Sequence, residues 1–380
     1  MEEFVALSMN WRSVLSGGVA LTIALIGLAL AIRKPNVRAN RWLALFLFAA
    51  AINAIPFTVG FAGAYDIWPE LTFLPVDMAP FFGPLLLLHT RAIIRAQPAG
   101  PWKWLLTPGI AYFLYQLWAF FLLGDYRAKW DFNAAMHDPY VMPLVLAVSV
   151  LLTVYSLWQI ALLTREYRNW LSDNRSDDES FQPIWLIHFI VLLGAMVTAW
   201  LIDRTVMPVL GLDYFARYWP SLAALLIVLI MAIEAWYRFE QPYPSITTLS
   251  GPDIGRRETR DWAKEGRRVR EVVVSQEWYL EPRFALVDLA HRMALNENYT
   301  SRAINQGLGE SFSDFINHLR VERAKDLLRD PSASVLATAL DAGFNSKASF
   351  NRAFKRFCGI TPSEFRKTQT SQITKIQRNG

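Results

Sequence analysis

The sequence predicts an all-α chain in two unlike parts. Seven helices long enough to cross a bilayer occupy the first 237 residues, and a smaller, basic and mostly polar set of helices follows. Three observations carry this. The chain is 380 residues long and 53% apolar with positive mean hydropathy, too apolar for an ordinary soluble protein of its size. Its apolar residues gather in runs of about 20, the length a helix needs to span hydrocarbon. Its charge is uneven: 23 of the 38 Lys/Arg lie after residue 237, against 17 Asp/Glu there. A basic end points to a polyanion, either nucleic acid or anionic headgroups.

Composition also removes several function classes. The single cysteine, Cys358, excludes an internal disulfide, a Cys-rich zinc site and a CxxC redox motif. His89, His137, His188, His291 and His318 show no HExxH spacing, and neither a GxGxxG nor a P-loop pattern occurs. No catalytic constellation, metal or cofactor is expected. The N-terminus lacks a charged n-region and cleavage site, so it reads as the start of a mature protein.

The apolar stretches, in order, are Val14–Ile32, Trp42–Phe61, Phe73–Ile94, Trp104–Leu123, Tyr140–Leu163, Ile184–Ile202 and Trp219–Trp236. Trp42, Trp104, Tyr140, Trp219 and Trp236 stand at their ends, as interfacial anchors do. The third holds Asp77 among Pro75, Pro80 and Pro84. Loops 33–41, 91–103 and 164–183 carry ten Lys/Arg, and the alternate side carries five: Arg12, Arg127, Lys129, Arg204 and Arg217. The positive-inside rule then places the N-terminus outside and the C-terminus in the cytoplasm, as an odd number of spans requires.

Polar groups within the spans are few. A carboxylate at membrane depth is costly, so Asp77 should face a cavity or a partner. It is a candidate ligand-sensing or proton site opening outward; the alternative is a packing carboxylate satisfied by a Tyr, a Trp or Asn53. Glu234 lies at i−4 to Arg238, a structural pair. His188 and Asp203 read as interfacial, and Gln116 and Asn53 as interhelical hydrogen-bonding groups. Spans without lysine argue against a retinal Schiff base.

Residues 238–281 read as a juxtamembrane linker. "QPYPSITTLSGPDIG" is rich in turn residues and lacks a hydrophobic period, and "RRETRDWAKEGRRVREVVVSQEWYL" is predicted to be largely helical despite Gly266. Its Arg-rich start could rest on anionic headgroups or form a solvated face.

In "KASFNRAFKRF" (347–357), Phe350, Ala353, Phe354 and Phe357 recur at i, i+3, i+4 and i+7, one apolar helix face. Ala348, Asn351, Arg352 and Lys355 share the opposite face. Arg can pair with guanine O6/N7 and Asn with adenine N6/N7, so this helix suits a major groove. "SVLATALDAGFNS" before it predicts a short helix with small Ala339 and a sharp turn at Gly343. "TPSE" after it is a capping box from Thr361 to Glu364. Helix, turn and basic-faced helix make a helix-turn-helix; a plain amphipathic hairpin would share the period. "LVDLAHRMALNENYTSRAINQGLG" (286–309) repeats the pattern some 49 residues earlier, setting Ala290 against Ala339 and Ala294 against Gly343. "SFSDFINHLRVERAKDLL" between them reads as one connecting helix.

Residues 282–367 resemble the AraC-type DNA-binding domain, through "LVDLA", "SR", "LGESF", "LRVERAKDLL" and "ALDAGFNSKASFNRAFKRFCGITPSEFR". Seven spans in front resemble the membrane-bound regulators of that family in bacteria. The resemblance implies an all-α protein, a seven-helix transmembrane bundle (1–237) followed by a cytoplasmic double helix-turn-helix DNA-binding domain (282–367) and a flexible tail (368–380). It implies base contacts from Asn298, Ser301 and Arg302 in the first unit, and from Lys347, Ala348, Ser349, Asn351 and Arg352 in the second. It also implies recognition helices in successive major grooves. The first unit departs from the family: Ala294 replaces the usual turn glycine, and Thr300, Ala303, Ile304 and Gly307 make a thin apolar face. The expected function is transcription regulation from the inner membrane, coupling an external or envelope signal to promoter binding. The expected partners are double-stranded DNA, membrane lipid, a second copy in a homodimer, and a small molecule or envelope signal. The rival is a transporter-like or envelope-sensing protein whose helical tail binds protein.

Overall fold

A computed structural model describes residues 7, 10–34, 37–95, 100–177, 181, 184–202, 205, 209–211, 218–238, 243–246, 261–330 and 332–368. Asp203, Arg204 and Arg217, most of the loop part of the linker and nearly all of the tail lie outside these residues. All regular elements among the described residues are helical, with two isolated β-bridges, Arg95–Ile246 and Arg175–Ala285. The chain forms two compact units, residues 1–164 with 183–246, and residues 165–182 with 247–380.

In the first unit, helix α1 (Trp11–Ile32) starts at Asn10, whose side chain accepts from the N–H groups of Arg12 and Ser13. It packs closely on α2 (Val37–Asn53) at Gly27, where a Cβ would stand 3.3 Å from Leu47 Cβ, a tight contact. The second apolar stretch breaks after Asn53, because Pro56 opens a separate helix, α3 (Ile55–Phe61).

The third stretch becomes regular α-helix later than its hydropathy predicts. Residues 74–78 are irregular, Ala79–Phe81 form a 3-10 turn, and α4 runs only over Phe82–Ile94. Pro75, Pro80 and Pro84 remove amide donors and restrict the residues before them, which explains the late start. Asp77 therefore sits ahead of the helix, not inside it. Gly83 lets α4 cross the later helix that holds Thr153 closely; a Cβ there would meet Thr153 Cα at 2.6 Å.

The fourth and fifth stretches give α5 (Thr107–Leu122), α6 (Tyr126–Phe132), a π-helical segment over Asn133–Val141 containing Pro139, and α7 (Met142–Asn174). Helix α7 continues ten residues past Thr164, through what the sequence reads as a loop. Helices α8 (Ile184–Leu201) and α9 (Tyr218–Arg238) pack together, and α9 packs on α1. Among the described residues five helical segments are long and apolar enough to cross a membrane, and Ala79–Ile94 and Leu186–Leu201 are shorter apolar helices. These seven segments fall on the seven predicted stretches.

The second unit contains α10 (Trp262–Ser275), α11 (Leu286–Arg292), α12 (Glu297–Asn305), α13 (Phe312–Leu327), α14 (Val335–Asp341) and α15 (Lys347–Cys358), with residues 362–368 helical. Two cores hold it. One joins Val269 and Val273 of α10 to Leu286, Leu289, Ile304, Phe312 and Ile316; the other joins Val321, Leu328, Ala339, Phe344, Phe350 and Phe354. The linker helix α10 is thus one wall of the first core.

Candidate DNA-binding site

Each half of the second unit is a short helix, a tight turn and a longer helix. In the later half, Gly343 takes φ +88, and a Cβ there would stand 2.6 Å from Leu280 O, so only glycine fits. Ser346 then caps α15 by accepting from Ser349 N–H at 3.1 Å. Phe350, Ala353 and Phe354 are buried, Phe357 packs at the edge, and Lys347, Ala348, Arg352 and Lys355 are exposed. The capping box beyond α15 forms as its spacing predicts: Glu364 Oε2 accepts from Thr361 N–H at 2.8 Å, and Thr361 Oγ1 accepts from Glu364 N–H at 3.3 Å.

In the earlier half the turn residue is Ala294, at φ +50. The backbone keeps the left-handed turn although a methyl group occupies the glycine position. Asn296 caps α12, which presents Asn298, Ser301, Arg302 and Asn305 and buries Thr300, Ala303 and Ile304. The thin apolar face is completed from outside: α10 lies so close that a Cβ on Gly307 would stand 2.1 Å from Trp262 O. Sequence reasoning missed this, although Val269 and Val273 at i, i+4 were a signal for it.

Residues 289–368 match the family model described as a helix-turn-helix domain. Over 113 residues the chain is 32% identical to an uncharacterized HTH-type transcriptional regulator of Staphylococcus aureus (strain MSSA476), covering 30% of this chain and 15% of that protein. It is 30% identical over 80 residues to the Msm operon regulatory protein of Streptococcus mutans, covering 21% of this chain and 29% of that one. It is also 30% identical over 100 residues to the HTH-type transcriptional regulator CdhR of Pseudomonas aeruginosa, covering 26% and 30%. Residues 289–368 are a helix-turn-helix domain of the AraC type. The chain thus spans less than a third of the length of these relatives. No solved structure matches it.

Within the AraC-type domain the expected contact residues fall in two rows. Asn298, Ser301 and Arg302 lie on α12; Lys347, Ala348, Asn351 and Arg352 lie on α15. Ser349 is drawn into the cap, its Oγ donating to Ser346 O at 2.9 Å. Arg356, next to the row in sequence, instead pairs with Asp314 on α13 at 2.7 Å.

The connecting helix carries Arg320, only 1% exposed. Its Nε donates to Tyr279 O at 2.6 Å, and its Nη2 donates to Glu281 O at 2.8 Å and to Ser176 Oγ at 3.2 Å. Burial pulls its pKa down to about 10, so it stays charged at neutral pH and needs those acceptors. Neither Arg320 nor its partner Ser176, more than 100 residues away in sequence, shows in a local pattern.

In the first unit, Asp77 Oδ1 accepts from Ala79 N–H at 3.1 Å and its Oδ2 lies 3.4 Å from Tyr112 Oη. Gln116 brackets the same residue, accepting from Asp77 N–H at 3.1 Å and donating to Asp77 O at 3.0 Å. Asn53 Oδ1 accepts from the N–H of Met78 at 3.3 Å. Among the described residues no group of three or more His, Cys, Asp or Glu is placed to hold a metal ion.

Proposed function

We propose that the chain is a membrane-embedded, sequence-specific DNA-binding transcription regulator, in which the apolar unit receives a signal and the AraC-type domain reads promoter DNA. The observation that carries this is the coexistence in one chain of helices of membrane-spanning length and a helix-turn-helix domain with two polar, partly basic recognition rows. The relatives' names as transcriptional regulators support the DNA-binding half. In this reading the apolar helical unit takes the sensing role.

A cavity of about 110 Å³ within the first unit supports sensing of a small molecule. Its wall is largely apolar, with Phe82, Met196 and Trp200, and carries Ser149, whose Oγ is buried with no hydrogen-bond partner among the described residues. An uncharged ligand with one hydrogen-bonding group suits it. Asp77 is the proposed relay at its edge, two residues from cavity-lining Ala79. Asp77→Asn should shift the dose response of the regulated promoter while leaving DNA affinity unchanged; an unaltered response at normal protein level would leave Asp77 a packing residue only.

The test of the whole reading is genome-wide DNA occupancy of the tagged full-length protein, with an Arg352→Ala control, paired with DNA binding at rising salt. Occupancy at discrete sites, lost in the control, and affinity falling steeply with salt are expected. A tail that instead retains a protein partner and no DNA would make this a membrane protein with a protein-binding tail.

A further inference from the structure

The segment just after α7 is built into the AraC-type domain. Ser176 is 3% and Asp177 6% exposed. Ser176 Oγ donates to Phe284 O at 2.6 Å, its N–H donates to the same oxygen at 3.2 Å, and its own carbonyl accepts from Asn317 Nδ2 at 3.2 Å. Arg175 bridges Ala285 in antiparallel fashion and holds Asp177 through Nε at 2.7 Å. Asp177 in turn lies 3.4 Å from Asn345 Nδ2, directly before the Ser346 cap of the second recognition helix. One turn back, Asp173 Oδ1 lies 3.5 Å from Asn305 Nδ2, which is also 3.4 Å from Ser301 Oγ.

Six positions, Phe284, Ala285, Asn305, Asn317, Arg320 and Asn345, from both helix-turn-helix halves and the connecting helix thus converge on one short stretch. Among them is Asn305, on the face that presents Ser301. The stretch is acidic: Asp173 and Asp177 are followed in sequence by Asp178 and Glu179. A carboxylate beside a DNA-reading row repels phosphate and must be displaced or neutralised when DNA arrives.

We propose that the AraC-type domain carries a peptide-docking site, formed by Phe284, Asn305, Asn317, Arg320 and Asn345, whose occupant is this chain's own acidic segment 173–177, and that occupancy opposes DNA binding. The site couples the connection between α7 and α8 to both recognition helices. Since that connection joins two helices of the apolar unit, any change in those helices that draws the segment away releases the domain. This rests on the DNA-binding reading above.

The test uses the full chain in lipid nanodiscs and a duplex that the wild-type chain has selected from a random pool. Selection of a duplex establishes DNA binding by itself, so failure there sinks the underlying reading and not this one alone. Asp173→Asn and Asp177→Asn should each tighten binding, together by about tenfold, within the 5–150-fold common for coupled sites. Asp341→Asn, which adds the same charge at an exposed position away from the segment, is the control and should change affinity far less. A second arm pairs Asp177→Cys with Asn345→Cys on a Cys358→Ser background. Joining the two introduced thiols with a short reducible crosslinker should weaken DNA binding, and reduction should restore it. Unchanged or weaker binding in the Asp variants beyond the control, or full DNA affinity in the crosslinked chain, overturns the proposal.

Discussion

Ala294 shows how a residue-level departure is absorbed. The left-handed conformation at φ +50 costs a residue with a Cβ about 1–2 kcal/mol, and glycine almost nothing. Ala294→Gly should therefore stabilise the first helix-turn-helix half by about 1 kcal/mol, read as slower amide hydrogen exchange over residues 286–305. Faster exchange would show that the turn is held by contacts a glycine weakens. Arg320 is the opposite case, a buried cation whose acceptors are fixed backbone carbonyls and Ser176. Arg320→Ala leaves those neutral acceptors unpaired and should cost about 1–3 kcal/mol, seen as a lower urea midpoint for the domain. The exposed polar rows of α12 and α15 were legible at this scale because helical period sorts them from the apolar face. Arg320 was not, since nothing in "LRVERAKDLL" tells which arginine will be enclosed by groups from 279, 281 and 176.

At the scale of elements, the two recognition helices are unequal, as their sequences suggest, but for one reason more. Helix α15 is anchored by its own Phe350 and Phe354, whereas α12 depends on a neighbour: its Gly307 end is seated against α10. Gly307→Ala would set a methyl group against Trp262 O, so it should destabilise the first half by about 1–3 kcal/mol and leave exchange in α15 unaltered. We expect the inequality to carry into DNA reading. Arg352→Ala should cost about 1–3 kcal/mol on a specific site and little on random DNA, since a bidentate base contact is worth that much. Arg302→Ala should weaken both DNAs by similar, smaller amounts; a more site-selective loss there would make the first half the main reader. The helices of the domain were legible from their caps and apolar periods. The role of α10 was hidden, because a strongly charged helix with one valine stripe reads equally as a solvated linker and as a core wall. The third apolar stretch erred the other way: its hydropathy is continuous, yet prolines delay the α-helix to Phe82.

For the whole molecule, topology links the two units. On the proposed membrane-embedded reading, charge assigns loops 33–41, 91–103 and 164–183 to the inner side, with ten Lys/Arg against five on the other side. Packing gives a constraint independent of charge. Residues 165–182 belong to the same compact unit as the AraC-type domain, so the proposed reading requires both to lie on one side of the membrane. Between Asp177 and Trp262 the chain must then cross the bilayer an even number of times. Only α8 and α9 stand between them among the described residues, so either both cross or neither does. Helix α9 belongs to the segments long and apolar enough to cross, whereas α8 contributes only the shorter apolar stretch Leu186–Leu201. Parity therefore argues that α8 spans as well, its 18 residues rising about 27 Å against a hydrocarbon core of about 30 Å. The connection after it should face outside. Leu210→Cys is the decisive probe, because Leu210 lies in that connection and is 64% exposed. On a Cys358→Ser background, Leu210→Cys and Arg127→Cys should react with an impermeant maleimide in intact cells, and Lys34→Cys and Lys103→Cys only after permeabilisation. If Leu210→Cys stays unlabelled until the membrane is opened while Arg127→Cys reacts, α8 and α9 do not both span. The positive-inside assignment would then survive only for the first five apolar segments.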